Sequence, residues 1–174
     1  AQDISEFDTL AEYKEDIKKN LMEQKEKEAK AAKEAAVVAK VVENATMEIP
    51  DAMVEYQTQQ MLDDFGRRMQ SQGLSLDQYM KFTGMTLKDL QDQTKPQAET
   101  RIRTRLTLEA VVKAENIQVT DEEVEKELQE MADAYKMEVE KVKSFMGENE
   151  LAQIKEDLAV QKAVDLLVKE AKLA

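Results

Sequence analysis

Carboxylates are the side chains whose number first suggests catalysis in this 174-residue chain: 37 Asp and Glu, including the adjacent pairs Asp63-Asp64 and Glu122-Glu123. Two carboxyls can share general-acid and general-base duty only if one is held in an apolar pocket that raises its pKa. Adjacent acids instead point around the outside of a helix, and an acidic surface produces such pairs by chance. The chain has no His and no Cys, which removes Ser-His-Asp and Cys-His nucleophiles, imidazole and thiolate metal sites, disulfides and thiol redox chemistry. Its four glycines, Gly66, Gly73, Gly84 and Gly147, stand alone, so there is no phosphate loop, and no Asp/Asn spacing fits a calcium loop. The expectation is no catalytic residue, no cofactor and no metal. An enzyme with a carboxylate-only metal site is the last of the alternatives.

Methionine is the remaining residue type with a distinctive chemistry. Ten Met outnumber the eight aromatic residues; Met47, Met53, Met61, Met69, Met80 and Met85 fall within one 39-residue stretch, and Met131, Met137 and Met146 form a second group. Methionine can simply fill gaps in a helical core. As a group, however, unbranched and polarizable side chains suit a surface that re-packs against many partners.

The elements that position these residues are helices. Only 4 Gly and 2 Pro are present, about 3% where average usage gives roughly 12%, so tight turns and hairpins of strands have few places to form. Ile4, Phe7, Leu10, Ile17 and Leu21 step along one helical face, and Thr9 with Glu12 has the form of a capping box, which starts the first helix near Thr9. The stretch 24–35 carries only Ala among Lys, Glu and Gln, so propensity and i,i+4 ion pairs must sustain it. Val37, Val38, Val41 and Val42 then restore an apolar face, which predicts one long helix joining two packed regions across a thinly buried middle.

Ile49-Pro50 starts a second helix, with Pro50 at its first position, and Gly73 stops it. Met53, Val54, Met61, Leu62, Phe65 and Met69 are read as one broad stripe. Ser75 opens a short helix through Tyr79, Met80 and Phe82 to Gly84, and Thr86 with Asp89 opens another. Pro96 either kinks that helix or begins a new one through Ile102, Leu106, Leu108, Val111 and Val112. After an extended break at 116–119, Thr120 caps a helix to about 136, a short one follows through Val142 and Phe145, and a last one carries Leu151 to Val168. The organisation is a single domain over 1–174: a long linking helix (1–46), a first arm and return helix (47–117), a second arm (118–147) and a C-terminal helix (148–174). Two short hairpins on a long thin helix lack the volume to bury every methionine, so some apolar surface stays open, and open apolar patches mark binding sites.

The formal charge is −12, which argues against a protein that tracks phosphates along nucleic acid. Residues 119–150 hold eleven acids and four bases, while residues 12–40 hold seven acids and eight bases. The plain reading of such a run is a solvated face that maintains solubility. No apolar run approaches the ~20 residues of a membrane span, and no apolar leader is seen, so the expected location is cytoplasmic, with neither membrane nor nucleic acid as partner.

The helix opening Ile49-Pro50-Asp51-Ala52-Met53-Val54-Glu55 and ending near Gly73, then Tyr79 and Gly84, then 101–117, then Val119-Thr120-Asp121-Glu122-Glu123-Val124 and Met131-Ala132-Asp133-Ala134-Tyr135, resembles the bacterial trigger factor family. Glu6 to Tyr13 resembles the segment after that family's prolyl isomerase domain, and Gln161 to Leu167 its final helix. The resemblance covers essentially the whole chain and rests on the order and spacing of these segments. It implies an all-α, elongated chaperone domain: a long backbone helix and two helical arms forming a cradle for unfolded or nascent polypeptide, without ATP. The family's ribosome-docking motif and isomerase domain have no counterpart in these 174 residues, so ribosome contact would come only through domains absent here.

The resemblance places substrate contacts at Met131, Tyr135, Val142 and Phe145 in the second arm. In the first arm, Met53, Met61, Phe65, Met69, Tyr79, Met80 and Phe82 are the expected counterparts. Packing within the arm is the competing role for each. The functional expectation is a holdase; the rival from another class is a structural or adaptor protein whose helices close into a bundle or oligomer and bury the methionines. A periplasmic or surface chaperone with a similar core is a third alternative. The sequence leaves open whether two copies pair as a homodimer.

Overall fold

The computed structural model describes residues 9–172. The helical steps at Ile4 and Phe7, the resemblance over 6–8, and the outer ends of the first and last segments lie outside them. Seven helices follow in order: α1 (Leu10–Glu43), α2 (Asp51–Ser71), α3 (Leu76–Thr83), α4 (Leu87–Ala114), α5 (Asp121–Tyr135), α6 (Val139–Phe145) and α7 (Glu148–Glu170), with no strand among the described residues. The fold is all-α, as the near absence of Gly and Pro requires.

Four helix starts are fixed by reciprocal caps. Thr9 with Glu12, Ser75 with Gln78, Thr86 with Asp89 and Thr120 with Glu123 each exchange a side-chain and a backbone hydrogen bond, satisfying two amides that the helix itself leaves unpaired. Pro50 differs from expectation by one position: it is the extended N-cap of α2, not its first helical residue. Gly73 and Gly84, at φ +79° and +72°, take the left-handed conformation that closes α2 and α3. Of the two alternatives at Pro96, a fresh start is ruled out, because α4 runs through it. Pro96 has no N–H to offer the carbonyl of Asp92.

The accessible surface is 13361 Å², about 1.5 times the roughly 8,700 Å² of a compact monomer of this size. The molecule is extended, and its core is divided. Where α2 packs on α4, Thr58, Leu62 and Met69 face Leu90, Ala98 and Ile102, all buried; the hydroxyl of Thr58 donates to the Val54 carbonyl at 2.7 Å, so its burial leaves no polar atom unmet. In the second arm Leu128, Ala132 and Val142 form a small core covered by Val124, Met137, Val139, Met146, Leu151 and Ile154. Helix α7 joins the parts, packing on α1, α4 and α5, with Ala163 and Val164 buried.

Helix α1 has no buried residue. Its valines at 37, 38, 41 and 42 are half-buried near the end of α7, but 20–33 is exposed throughout. The thin middle is as expected. Among the described residues a second packed region is not seen: Leu10, Ile17 and Leu21 remain exposed. The ion pairs Lys19–Glu23, Lys25–Glu28 and Lys30–Glu34, at 3.6–4.0 Å, are exposed except for half-buried Glu34, and each stabilises the helix weakly. No helix among the described residues is long and apolar enough to cross a membrane.

Two substitutions test this packing. Leu128, 2% exposed, has no neighbour able to fill its place, so Leu128→Ala should cost about 2–5 kcal/mol in urea unfolding of the second arm; a loss below about 1 kcal/mol would contradict the small core. Gly66 lies inside α2, and a Cβ there would meet nothing within 4 Å. Gly66→Ala should therefore raise stability by about 1 kcal/mol through helix propensity alone, read as a higher urea midpoint.

Candidate functional site

The first arm consists of α2, α3 and the start of α4. At about 100° per residue, Val54, Met61, Leu62, Phe65 and Met69 share one side of α2, centred on buried Thr58, but Met53 lies roughly 140° away with Tyr56. The broad stripe read from the sequence is thus two faces. One faces α4 and buries Met69; the other is solvent-facing, with Met53 41% and Tyr56 67% exposed. Tyr56 accepts a 2.7 Å hydrogen bond from the Gln60 amide, one turn on. Met61, Phe65, Tyr79 and Met80 are half-buried. Phe65 and Tyr79 are brought together edge to face, with centroids 5.4 Å apart, a geometry that fastens α3 onto α2. Phe82, at the arm's tip, is 82% exposed.

In the second arm, Tyr135 and Phe145 are 71% and 72% exposed. Met131 is half-buried and, with Ile154 and Leu158, lines a groove of about 400 Å³ between α5 and α7 whose rim is Glu127, Asp157 and Gln161. Val142 belongs to the small core. Of the eleven expected contact residues, Met69 and Val142 are therefore packed inside their arms, because each is on the helix face that a neighbour covers. Helical spacing shows that residues share a face, not which face is covered. Tyr56 and Leu87, both exposed apolar side chains of the first arm, were not anticipated. The signal for Tyr56 is its place one turn after Met53; for Leu87 it is the first helical position after the Thr86 cap, where a side chain has no preceding turn to lie on.

Ion pairs set how the arms are held. Arg105 of α4 reaches Glu109 on its own helix at 2.6 Å and Asp157 of α7 at 2.7 Å, with Glu156 at 3.5 Å. Hydrogen bonding to Glu109, and then to Asp157, raises its already high pKa. Lys162 of α7 donates to both oxygens of Glu123, at 2.7 and 3.0 Å, and to the Gln118 carbonyl at 2.7 Å. Glu123 also accepts the Thr120 N–H at 2.8 Å, so one carboxylate caps α5 and moors it to α7. The Lys162 hydrogen bond, followed by that of the Thr120 amide, lowers its pKa. Lys155–Asp121 and Lys143–Glu125, at 3.2 and 2.7 Å, add exposed ties.

The acidic pairs take no catalytic arrangement. Asp63 accepts from Gln59, Asp64 pairs with Arg67, Glu123 is committed to Lys162, and Glu122 is exposed. Among the described residues, no group of three or more acids converges to hold a metal ion.

Comparison with known proteins bears on these surfaces. Residues 9–169 match the family described as bacterial trigger factor protein C-terminus. The chain is 60% identical over 172 residues to a trigger factor of Lachnoclostridium phytofermentans, and 50% identical over 174 residues to one of Anoxybacillus flavithermus, in each case across 99% of this chain and 40% of the relative. The chain thus spans about 40% of the length of these curated relatives. A solved structure of domains of trigger factor from Thermotoga maritima has the same fold, with a TM-score of 0.62 at 20% identity, covering 82% of this chain and 83% of that one.

The Lys162–Glu123 mooring has a pH signature. Because Glu123 titrates below its unfolded value of about 4.3, its contribution is fully present above that pH and is lost as pH falls through the lower folded value. Glu123→Gln keeps an amide able to cap α5 but loses the charge. Its thermal midpoint should lie below that of the parent at pH 7, with the gap narrowing as pH falls through the lowered folded value; a gap independent of pH would contradict the assignment.

Proposed function

The chain belongs to the bacterial trigger factor C-terminal family, and from that premise we propose that it is an ATP-independent chaperone module, a holdase that binds hydrophobic segments of unfolded or nascent polypeptides between its two arms. The observation that carries this reading is the set of large apolar side chains left in solvent on both arms: Met53, Tyr56, Phe82 and Leu87 on the first, Tyr135 and Phe145 on the second. Singly exposed apolar residues are ordinary, but six large ones left in solvent on two thinly packed arms offer apolar surface to a partner. The half-buried Met61, Phe65, Tyr79, Met80 and Met131 border these positions and supply adaptable contact, while buried Met69 and Val142 support the helices from behind.

A few hundred Å² of apolar burial per patch, at ~25 cal/mol per Å², gives several kcal/mol before ordering costs, so each patch binds weakly. Two arms engaged by one client raise the effective affinity, and release needs only dissociation. Acidic residues across 119–150 keep a loaded complex soluble. In this reading the module works in the cytoplasm, has no catalytic residue and reaches the ribosome only through segments outside these 174 residues.

A second reading rests on α1, where Leu10, Ile17, Leu21 and Met22 are exposed along a stretch without cover from another helix. A second copy packing there would make the chain a homodimeric structural protein. Sedimentation showing a monomer at tens of micromolar would remove it.

The chaperone reading is tested with Phe82→Ser, Tyr135→Ser and Phe145→Ser combined. These side chains are exposed, so each change should alter stability by no more than about 0.5 kcal/mol. The concentration needed to halve aggregation of a denatured model protein should rise about tenfold. Equal protection by parent and variant would refute the site, and no protection by the parent would refute the function.

A further inference from the structure

We propose that the first arm carries a peroxide-modification site, in which oxidation of Met53, Met61 and Met80 to the sulfoxide weakens polypeptide binding; this rests on the reading given under Proposed function. With no Cys in the chain, thioethers are its softest and most readily oxidised groups, and reach decides which of them react. Met53 is 41% exposed, and Met61 and Met80 are half-buried, so all three are open to a small oxidant. Met69 of the same helix is buried behind them. Met85 of the same arm and Met131, Met137 and Met146 of the second arm are half-buried as well, the last two against Leu128, Ala132 and Val142, and Met53 is the most exposed of the arms' methionines.

The chemistry is a two-electron oxygen transfer. A lone pair on the thioether sulfur attacks one oxygen of hydrogen peroxide; the O–O bond breaks as the S–O bond forms, and the proton on the transferred oxygen passes to the departing hydroxide. The products are one sulfoxide and one water, with the thioether oxidised and the peroxide reduced. A flexible apolar side chain becomes a polar, chiral one, which no longer gains by burial against an apolar client segment, and sulfoxide reductases reverse the change. Met22 is an internal reference: it is 53% exposed, on α1 and away from both arms, so it oxidises alongside Met53 without consequence for binding.

The test treats the 174-residue chain with hydrogen peroxide, maps sulfoxides by peptide mass, and measures protection of a denatured model protein before and after. The expected result is added oxygen at Met53, Met61 and Met80, unchanged helicity by circular dichroism, and about a tenfold rise in the concentration giving half-maximal protection. Met53→Leu, Met61→Leu and Met80→Leu together, judged against that variant's own untreated protection, should lessen the sensitivity, whereas Met22→Leu should leave it intact. Methionine sulfoxide reductase should restore the untreated value, a readout independent of any variant. Unchanged protection despite sulfoxides at the three positions would overturn the proposal. So would no oxidation there, a loss undiminished in the triple leucine variant, a loss accompanied by falling helicity, or a loss cured by Met22→Leu. Protection absent before treatment would instead strike the chaperone reading and this proposal with it, while protection equal before and after strikes this one alone.

Discussion

Helix α7 is the one element that touches α1, α4 and α5, and the separation of the two arms follows from what it offers each of them. To α4 it presents small and branched side chains, among them Ala163 with no exposed surface, which lets the helices approach closely and sets Asp157 within reach of Arg105. To α5 it presents Lys162, whose three hydrogen bonds end on the Glu123 carboxylate and the Gln118 carbonyl. Beside α1 its last turns, around Leu167 and Glu170, line a shared groove with Val37 and Val41. None of these junctions covers Met53, Tyr56, Phe82, Leu87, Tyr135 or Phe145, which stay in solvent.

The two attachments differ in character. The first arm is held through the long seam of α2 on α4, where apolar side chains and self-satisfied threonines interlock. Such a seam is insensitive to salt and pH. The second arm has a core of only three buried side chains, to which α7 adds half-buried Leu151 and Ile154, and it is further tied by charged pairs, which contribute little individually and are screened by salt. Its position relative to α7 is thus the softer of the two, and its net acidity makes it the arm whose surroundings change most with ionic conditions.

Much of this was legible in the sequence, for identifiable reasons. Helix starts were readable because Thr9, Ser75, Thr86 and Thr120 each precede by three residues a side chain able to return the hydrogen bond; a local signal gives a local answer. Pro96 was ambiguous because its effect depends on whether the packing of α4 on α2 outweighs one missing helical hydrogen bond, and packing is not local. The site was partly readable. Phe82, Tyr135 and Phe145 stand beside helix ends, where neighbours are few, and they are exposed. Met69 and Val142 share helical faces with accessible residues yet lie where α4 and α5 cover them, which spacing alone does not disclose. Met53 was grouped with the wrong face because three-and-four steps drift around a helix over sixteen residues.

The place of α7 in the chain has a consequence for how the molecule is assembled. The α2–α4 seam and the α5–α6 core form between segments near one another in sequence, whereas α1 meets α7 only across roughly 120 residues of chain, a closure that is entropically costlier and slower than a local contact. Because α7 follows every element it joins, a chain extended from its N-terminus carries both arms before α7 is available to them. Over that interval the faces that α7 later covers are open to water, and the chain's own two halves are each other's nearest partners.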